Sequence, residues 1–418
     1  MAATRKWAAV IDQPASLTTG EIIRHLRERR GMSRPVLAGL VGYSPDWLKR
    51  IERGERGIAL PALLRIAKVL RVDDLSVLID GDVPMPVSAW EGPHHPAATA
   101  VNRIVNAVSF TGTGSADVEP DIAALARQVG ELWSDWHTLP DNRSSVATRL
   151  PALIAELETA TIRLDGRPRR QAHAALASAY SLAQHLAVDL TEPETGRILV
   201  DRAVRSAQVA DDPVSLGFGA WTYGHVLRGS DPDAALQIVA DAADALRPHV
   251  DDDPDAAGLL GSLDLHCAVS AAQSGHTGTA WRFWGAADEI GRSLPFGYSH
   301  PQTAFGAGNV AVHGVSLAGL LRRHGEAVQR AGDIDADTIP SRERRGRLYG
   351  EIAAGHQQRQ ELDDVLHFLE LSYVTSPETA PFSPLTRGVA VELVRSARGS
   401  LKSSAVALAE RMGILPAA

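Results

Sequence analysis

The sequence predicts an all-α protein: a small N-terminal group of short helices, a linker, and a long array of helical hairpins. Three observations carry this expectation. Apolar residues recur three and four positions apart through most of the chain, as in Ile122, Leu125, Val129 and Leu132, or Leu150, Leu153, Ile154 and Leu157. That spacing puts them on one face of a helix. Strand-type alternation is almost absent. Helix-start and helix-stop residues (Ser, Thr, Asp, Pro and Gly) also sit at the ends of the periodic stretches.

Length and composition narrow the class. A chain of 418 residues suggests two or three domains, and 44% hydrophobic residues is ordinary for a globular protein. No run of 18 apolar residues is present, so no membrane span is expected. The start, MAATRKWAAVIDQP, has an apolar stretch too short for a signal-peptide core, and Pro14 interrupts it. The single cysteine, Cys267, leaves no basis for a disulfide framework or a cysteine-rich zinc site, and a cytoplasmic location is expected. The net charge of −8 is unevenly divided. Residues 1–80 hold 14 Lys and Arg against 9 Asp and Glu, which leaves 28 against 41 for the rest of the 42 and 50. A basic head on an acidic body is the asymmetry expected when only the head meets phosphates.

The head reads as follows. Thr18 and Glu21 form a capping box that opens a first helix with Ile22, Ile23 and Leu26 on its apolar side, and Gly31 ends it. Ser33 caps a second helix, in which Pro35 is tolerated because first-turn amides have no helical acceptor. Leu37, Ala38 and Val41 form its buried face, and Gly42 permits a sharp turn. Ser44 caps a third helix with Pro45 at its first position and Leu48 and Ile51 inward; Gly54 closes it. Two short helices joined by a tight turn, the second with one exposed face, suit the major groove of DNA.

The segment from Gly20 to Val72 resembles the Cro/C1 (XRE) family of helix-turn-helix domains, through Leu26-Arg27, Gly31-Met-Ser33, Leu37-Ala38, Gly42-Tyr-Ser44, Ile51-Glu52-Arg53-Gly54 and Leu63 to Leu70. The resemblance implies a five-helix DNA-binding domain over residues 1–80, with a structural pair between Arg27 and Glu52. It implies phosphate contacts from Arg34, Ser44, Arg53 and Arg56, and base-edge contacts from Asp46, Lys49 and Arg50. Pro45 and Asp46 depart from the amide side chains often used to read adenine. Asp46 is equally suited to accept from a cytosine amine or to cap the helix. Arg71 stands where the family usually has a helix-ending glycine.

Residues 81–118 are rich in Pro, Gly, Ser and Thr and read as a linker, partly ordered around Val101–Phe110. His94 and His95 read as loop histidines there. Residues 119–418 are Ala- and Leu-rich amphipathic segments. Turns at Gly229–Ala235, Gly275–Ala280 and Arg323–Ala327 each lead into a helix with a small residue in its first turn. Small residues let antiparallel helices pack closely, as in a helical-hairpin solenoid. The 45- and 47-residue spacings from Ala235 to Ala280 to Ala327 differ from the 34 of a regular array, so the region resembles a degenerate tetratricopeptide-like solenoid, with a generic bundle as the alternative.

No catalytic, cofactor-binding or metal-binding motif is recognisable, and no enzyme is expected. Gly217 and Gly219 read as an isolated glycine pair, Trp133, Trp136, Trp281 and Trp284 as core, and Cys267 as an inert buried thiol. Asn309 and His313, four apart, share one helical face, and an upstream helix offers Trp221, Tyr223 and His225. On inner helices of a solenoid, Trp221, His225, Asn309 and His313 would line a concave surface; alternatively Asn309 and His313 bond across a helix interface. The combined architecture resembles bacterial ligand-responsive regulators, including peptide-sensing quorum regulators and similar proteins of actinobacteria. That resemblance implies a homodimer on a twofold-symmetric operator in double-stranded DNA, with a small-molecule or peptide effector on the body. A body that serves as a protein-partner scaffold without small ligand is the alternative.

Overall fold

The fold is given by a computed structural model, which describes residues 18–55, 58, 60–79, 87, 95–107, 119–250 and 253–415. All regular structure among them is helical, apart from one isolated bridge residue. The chain divides into two compact units, one of residues 1–93 with 394–418 and one of residues 94–393.

The first unit begins with α1 (Thr19–Arg29), α2 (Arg34–Val41), α3 (Pro45–Glu52), α4 (Leu60–Val69) and α5 (Ser76–Ile79). Local chemistry sets each boundary. The capping box forms at Thr18 and Glu21, and Ser33 and Ser44 each accept the amide three residues on. Gly31, Gly42 and Gly54 all have positive φ, which lets each helix stop sharply. Arg71 takes φ 45° after α4, a left-handed residue where glycine would be unstrained. Ile23, Leu37, Leu48, Ile66, Leu70, Leu75 and Leu78 are fully buried. At Gly20 a Cβ would lie 2.1 Å from the Ile51 carbonyl oxygen, so α1 reaches the end of α3 only because this residue lacks a side chain.

The second unit opens with α6 (Pro96–Asn106). This segment falls inside the stretch read as a linker, yet Ala97, Val101 and Ile104 enter the main core and α6 packs on α8 (Asn142–Arg163). Its helical spacing is short and lies between a proline-rich stretch and one rich in Gly, Ser and Thr, which conceal it in the sequence. His95 is buried too: its Nδ1 accepts the Ala97 amide and caps α6.

Twelve helices from Ile122 to Thr375 then alternate between two layers. The inner layer is α7 (Ile122–Thr138), α9 (Gly166–Ala187), α11 (Pro213–Leu227), α13 (Pro254–Gln273), α15 (Ala307–Leu320) and α17 (Arg342–Gln358). The outer layer is α8, α10 (Pro193–Ala210), α12 (Pro232–Leu246), α14 (Thr277–Ser293), α16 (His324–Gly332) and α18 (Leu362–Thr375). From α9 to α17 each inner helix packs on its chain neighbours and on the next inner helix, the pattern of a helical-hairpin solenoid. Ala235, Ala280 and Ala327, the small residues expected at helix contacts, are all buried in the first turns of α12, α14 and α16. Further on come α19 (Pro384–Ser396) and α20 (Gly399–Arg411).

The solenoid closes on itself. Its last inner helix, α17, packs against its first, α7. At this seam His137 bonds Ser341 Oγ through Nδ1 (3.1 Å) and the Gln302 carbonyl through Nε2 (3.0 Å). Glu378 accepts from the Ser144 amide (2.9 Å) and hydroxyl (2.5 Å), with His95 Nε2 3.4 Å away.

The glycine pair Gly217–Gly219 finds its purpose here. A Cβ on Gly217 would stand 3.3 Å from Leu246 and Leu259, and one on Gly219 would stand 3.2 Å from the Ala207 Cβ. Gly224 is tighter still, with Val239 at 2.6 Å and the His266 ring at 2.7 Å. Helix α11 is squeezed from several sides. Gly224→Ala should therefore cost about 1–3 kcal/mol through overpacking, against a gain of about 1 kcal/mol in helix propensity. Urea denaturation should show a net loss of stability, and a net gain would contradict this packing.

Candidate nucleic-acid interface and cavity of the helical body

In the first unit one carboxylate organises the helix-turn-helix. Glu52, at the end of α3, is buried and accepts from three guanidinium nitrogens: Arg27 Nε (2.6 Å), Arg27 Nη2 (3.0 Å) and Arg34 Nε (2.9 Å). Arg27 also donates to the Met32 carbonyl in the turn between α1 and α2 (2.9 Å). Its hydrogen bonds to Glu52 hold the Arg27 guanidinium above its ordinary pKa despite burial. The pair expected between Arg27 and Glu52 is thus present, and α1, α2 and α3 meet on it. Arg34, expected to face phosphate, spends its Nε on Glu52 and keeps a side chain only 34% exposed.

The outer face of α3 carries the other expected contacts. Ser44, Asp46 and Arg50 are exposed and Lys49 is half-buried. Ser44, not Asp46, caps the helix. Asp46 instead pairs with Arg50 one turn on, at 3.1 Å, with both side chains more than half exposed. Such a pair is worth little and leaves both groups free to exchange partners. Arg53 is exposed and lies 3.6 Å from Glu55; Arg56 falls outside the described residues. Trp47, to which no contact was assigned from its sequence, stacks on Tyr43 with ring centroids 4.0 Å apart and planes at 12°. That stack braces the turn against the first turn of α3; an aromatic pair four apart was the available signal.

In the second unit the structure brings Trp221, His225, Asn309 and His313 together. All four line one small pocket of about 20 Å³, together with Ser262, His266, Thr303, Arg228, Arg344 and Arg347. That volume is about the room of a single water molecule. His313 Nδ1 donates to the Asn309 carbonyl in its own helix (2.8 Å). His225 Nε2 and Asn309 Oδ1 have no hydrogen-bond partner among the described residues. Trp221 is buried and stacks on His185 (5.2 Å) and Phe218 (5.6 Å), while Tyr223 points out and is 39% exposed.

The roomier space lies beside it. His225, Arg228, Arg344 and Arg347 also border a cavity of about 370 Å³, which reaches Trp136, Arg143, His185, Asp189, Glu343, Glu351 and the 372–386 segment. The four expected residues thus share a narrow recess, and of them only His225 borders the larger space beside it. Arg143 and Arg344 are buried and Arg228 and Arg347 half-buried, whereas on a helix all four read as solvated charges. A third cavity, of about 440 Å³, is bordered by Ile122, Ala126, Ala174, Phe218 and neighbours, with no Asp, Glu, Lys or Arg on its wall.

Inner helices bring a succession of histidines to the concave side: His137, His185, His225, His266 and His313 on α7, α9, α11, α13 and α15. Their rings interlock with Trp133 and Trp221, as in Trp133–His185 (5.3 Å), Trp221–His225 (4.5 Å) and His225–His266 (5.0 Å). Burial pushes His137 and His185 down to about 4 and His313 to about 3; nearby Arg344 lowers all three further. His225 and His266 are also held low by burial, then by Arg228. Cys267 is fully buried, with its thiol pushed up by burial.

Comparison with known proteins places the head and little else. Residues 20–77 match the family model of a helix-turn-helix domain. No curated protein matches the chain. Among solved structures the chain is similar to Bacillus thuringiensis PlcR in complex with the peptide PapR7 and DNA, at 13% identity over 66% of this chain and 95% of that one, with a TM-score of 0.28. It is similar to the apo form of the competence regulator ComR from Streptococcus vestibularis at 14% identity, over 80% and 97%, with a TM-score of 0.32. ComR from S. thermophilus, in complex with DNA and its signalling peptide ComS, gives 16% identity over 77% and 99%, with a TM-score of 0.23.

Two predictions follow from these sites. Glu52→Ala leaves Arg27 buried without its carboxylate and removes the partner of Arg34. It should destabilise the head by about 3–5 kcal/mol, far more than Asp46→Ala at the exposed pair. Chemical denaturation of both variants, followed by Trp47 fluorescence, measures the contrast; equal effects would contradict the assignment.

The second concerns pH. A histidine whose folded pKa lies below its unfolded value of about 6.5 binds a proton more readily in the unfolded chain. Its contribution is fully present above pH 6.5 and is lost as pH falls towards 4. Each of His137, His185, His300 and His313 should account for about 1–3 kcal/mol of that loss. Asp189 and Asp264, raised to about 6 by burial, act in the opposite sense but are fewer. Denaturation midpoints should hold from pH 8 to 7 and then fall, and His185→Phe should flatten the fall.

Proposed function

We propose that this protein is a sequence-specific DNA-binding transcription regulator of the Cro/C1 type, without enzymatic chemistry. It acts as a homodimer on a twofold-symmetric operator and responds to a small molecule or peptide taken up on the concave side of its helical body. The observation that carries the DNA-binding part is the geometry of α3: Leu48, Ile51 and Glu52 are buried, while Asp46 and Arg50 stand exposed on its outer side next to Lys49, with Ser44 and Arg53 at its two ends. This is a helix held from behind with its polar face available to base edges. The residue match to a helix-turn-helix domain supports the same reading. Dimerisation is favoured because one small domain buries little surface on DNA, whereas two half-sites about one helical turn apart multiply specificity. A concave cavity of about 370 Å³, with apolar wall and a few converging charged side chains, favours a ligand over a flat protein-partner surface.

Selection of bound sequences from random DNA tests the first part. The pool should converge on an inverted repeat, and failure to enrich any sequence would remove the proposal. On the selected site, Arg50→Ala should cost about 1–3 kcal/mol and relax preference at one base position. Arg53→Ala should weaken all sequences alike and reduce the salt slope by about one. Arg53 is the better phosphate test, since removing Arg34 would also disturb Glu52. A common factor for specific and nonspecific DNA in both variants would contradict these roles. Sedimentation of a monomer on that site would exclude the dimer.

A further inference from the structure

The 370 Å³ cavity holds an unbalanced set of charges. Four arginines border it, Arg143, Arg228, Arg344 and Arg347, against the acids Asp189, Glu343 and Glu351. Three of the four guanidiniums have protein partners, although Arg143 Nε and Arg344 Nε are buried without a hydrogen bond among the described residues. Arg347 pairs with Glu351 at 2.9 Å, Arg344 lies 3.4 Å from Glu343, and Arg143 donates to the Leu186 and Val188 carbonyls while its guanidinium sits near the Trp136 and Phe382 rings.

Arg228 is different. No carboxylate lies within ion-pair distance of it among the described residues, and its one hydrogen bond is from Nη2 to His225 Nδ1, at 3.2 Å. A guanidinium can only donate, so His225 Nδ1 accepts and the imidazole carries its proton on Nε2. That Nε2–H is itself without a partner among the described residues. A half-buried cation without an acid partner and an unused N–H therefore stand side by side at the cavity wall.

We propose that this cavity binds a small organic anion, a carboxylate carried on an apolar or aromatic body, and that Arg228 receives its charge. The proposal rests on the reading that the concave face takes the effector, and it names that effector's chemistry. A half-buried cation at a cavity wall gains from a paired anion, and among the described residues no acid lies within ion-pair distance of Arg228. Burial, with Arg347 and Arg344 beside it, pushes Arg228 down to about 9, the direction expected of a cation in need of an anion. Asp189, with burial raising it to about 6, is a weakened competitor for the same cations. Trp136, Val188 and Leu385 supply apolar wall for the body of the ligand. The volume falls near the lower end of the range for small-molecule pockets, about 300–1,000 Å³. It takes a compact acid whole, and of a peptide it takes only the C-terminal residue, which offers the same chemistry.

The test uses the full chain, with benzoate and its neutral analogue benzamide as probes at matched ionic strength. A second pair is a short peptide ending in Trp, with its C-terminus free or amidated. Thermal melting should rise by about 3 °C once a carboxylate probe reaches about ten times its Kd, and the neutral partners should do nothing. A rise with benzoate marks a small acid as the source; a rise only with the free-ended peptide marks a C-terminus. Arg228→Gln should abolish the rise, Arg228→Lys should retain part of it, and ligand-free Arg228→Gln should melt no lower than the parent, because it removes an unpaired cation.

Melting of Arg228→Gln several degrees below the parent would overturn the proposal, since Arg228 would then be a structural residue. So would equal responses to charged and neutral probes, or no response to either carboxylate. Operator affinity is measured in the same samples without probe. A parent protein that binds no DNA sinks the regulator reading, whereas one that binds its operator and ignores both carboxylates sinks only the anion site.

Discussion

The contact of α17 with α7 governs the body of this protein. A helical-hairpin array left open presents a concave groove, and its inner residues face solvent. Here His137 meets Ser341 and Gln302, and Ser144 meets Glu378, across sequence separations of 204, 165 and 234 residues. Closing the superhelix turns the groove into a chamber. Burial of the inner histidines, their lowered pKa values and the desolvation of the arginines all depend on that seam. Glu378 shows the energetic cost of the join. Burial alone would raise its carboxyl, but hydrogen bonds from His95 and Ser144 hold it down to about 2, so the seam is strongest with this group ionised.

Closure also explains why so many glycines and alanines line the helix contacts. Six inner helices can curl into a ring only if neighbouring backbones approach closely on the concave side. Gly224 against Val239 and His266, Gly261 against Phe305 and Gly346 against Ser376 are places where a Cβ would meet an atom at 2.6 Å or less. Polar side chains that such curvature gathers inside must find partners or remain costly. Most do: Thr222 bonds Ser181, Ser316 bonds Glu351, and Ser262 meets Thr303. Others do not: His225 Nε2, Asn309 Oδ1 and both Asp264 oxygens are buried without a hydrogen-bond partner among the described residues, and residues retained at a cost to stability are where function is expected.

The head is built on the opposite economy, with one carboxylate serving three helices. Glu52 accepts both Arg27 and Arg34, so the angle between α2 and α3 is tied to the same charge that ends α3. The recognition face needs no further support from within, and its polar side chains, paired with one another only at exposed positions, are left available to DNA.

What the sequence determined by itself was local. Caps, glycines and three- and four-residue spacing placed the first three helices of the head, and the Arg27–Glu52 pair was legible in the motif. The hairpin character of the body was visible in Ala235, Ala280 and Ala327, and the concave location of Trp221, His225, Asn309 and His313 in their helical faces. Helix α6 was hidden by its short span between a proline-rich stretch and one rich in Gly, Ser and Thr, and nothing local shows that Arg34 reaches Glu52. Tertiary structure alone decided that the solenoid closes, that Trp221, Asn309 and His313 border only a recess while His225 also borders the larger cavity, and that Arg228 lies beside Arg344 and Arg347. Helix boundaries are fixed by neighbours within a turn or two of chain. Charge pairing and enclosure depend on residues more than a hundred positions apart, whose meeting is set by the accumulated curvature of the helical array.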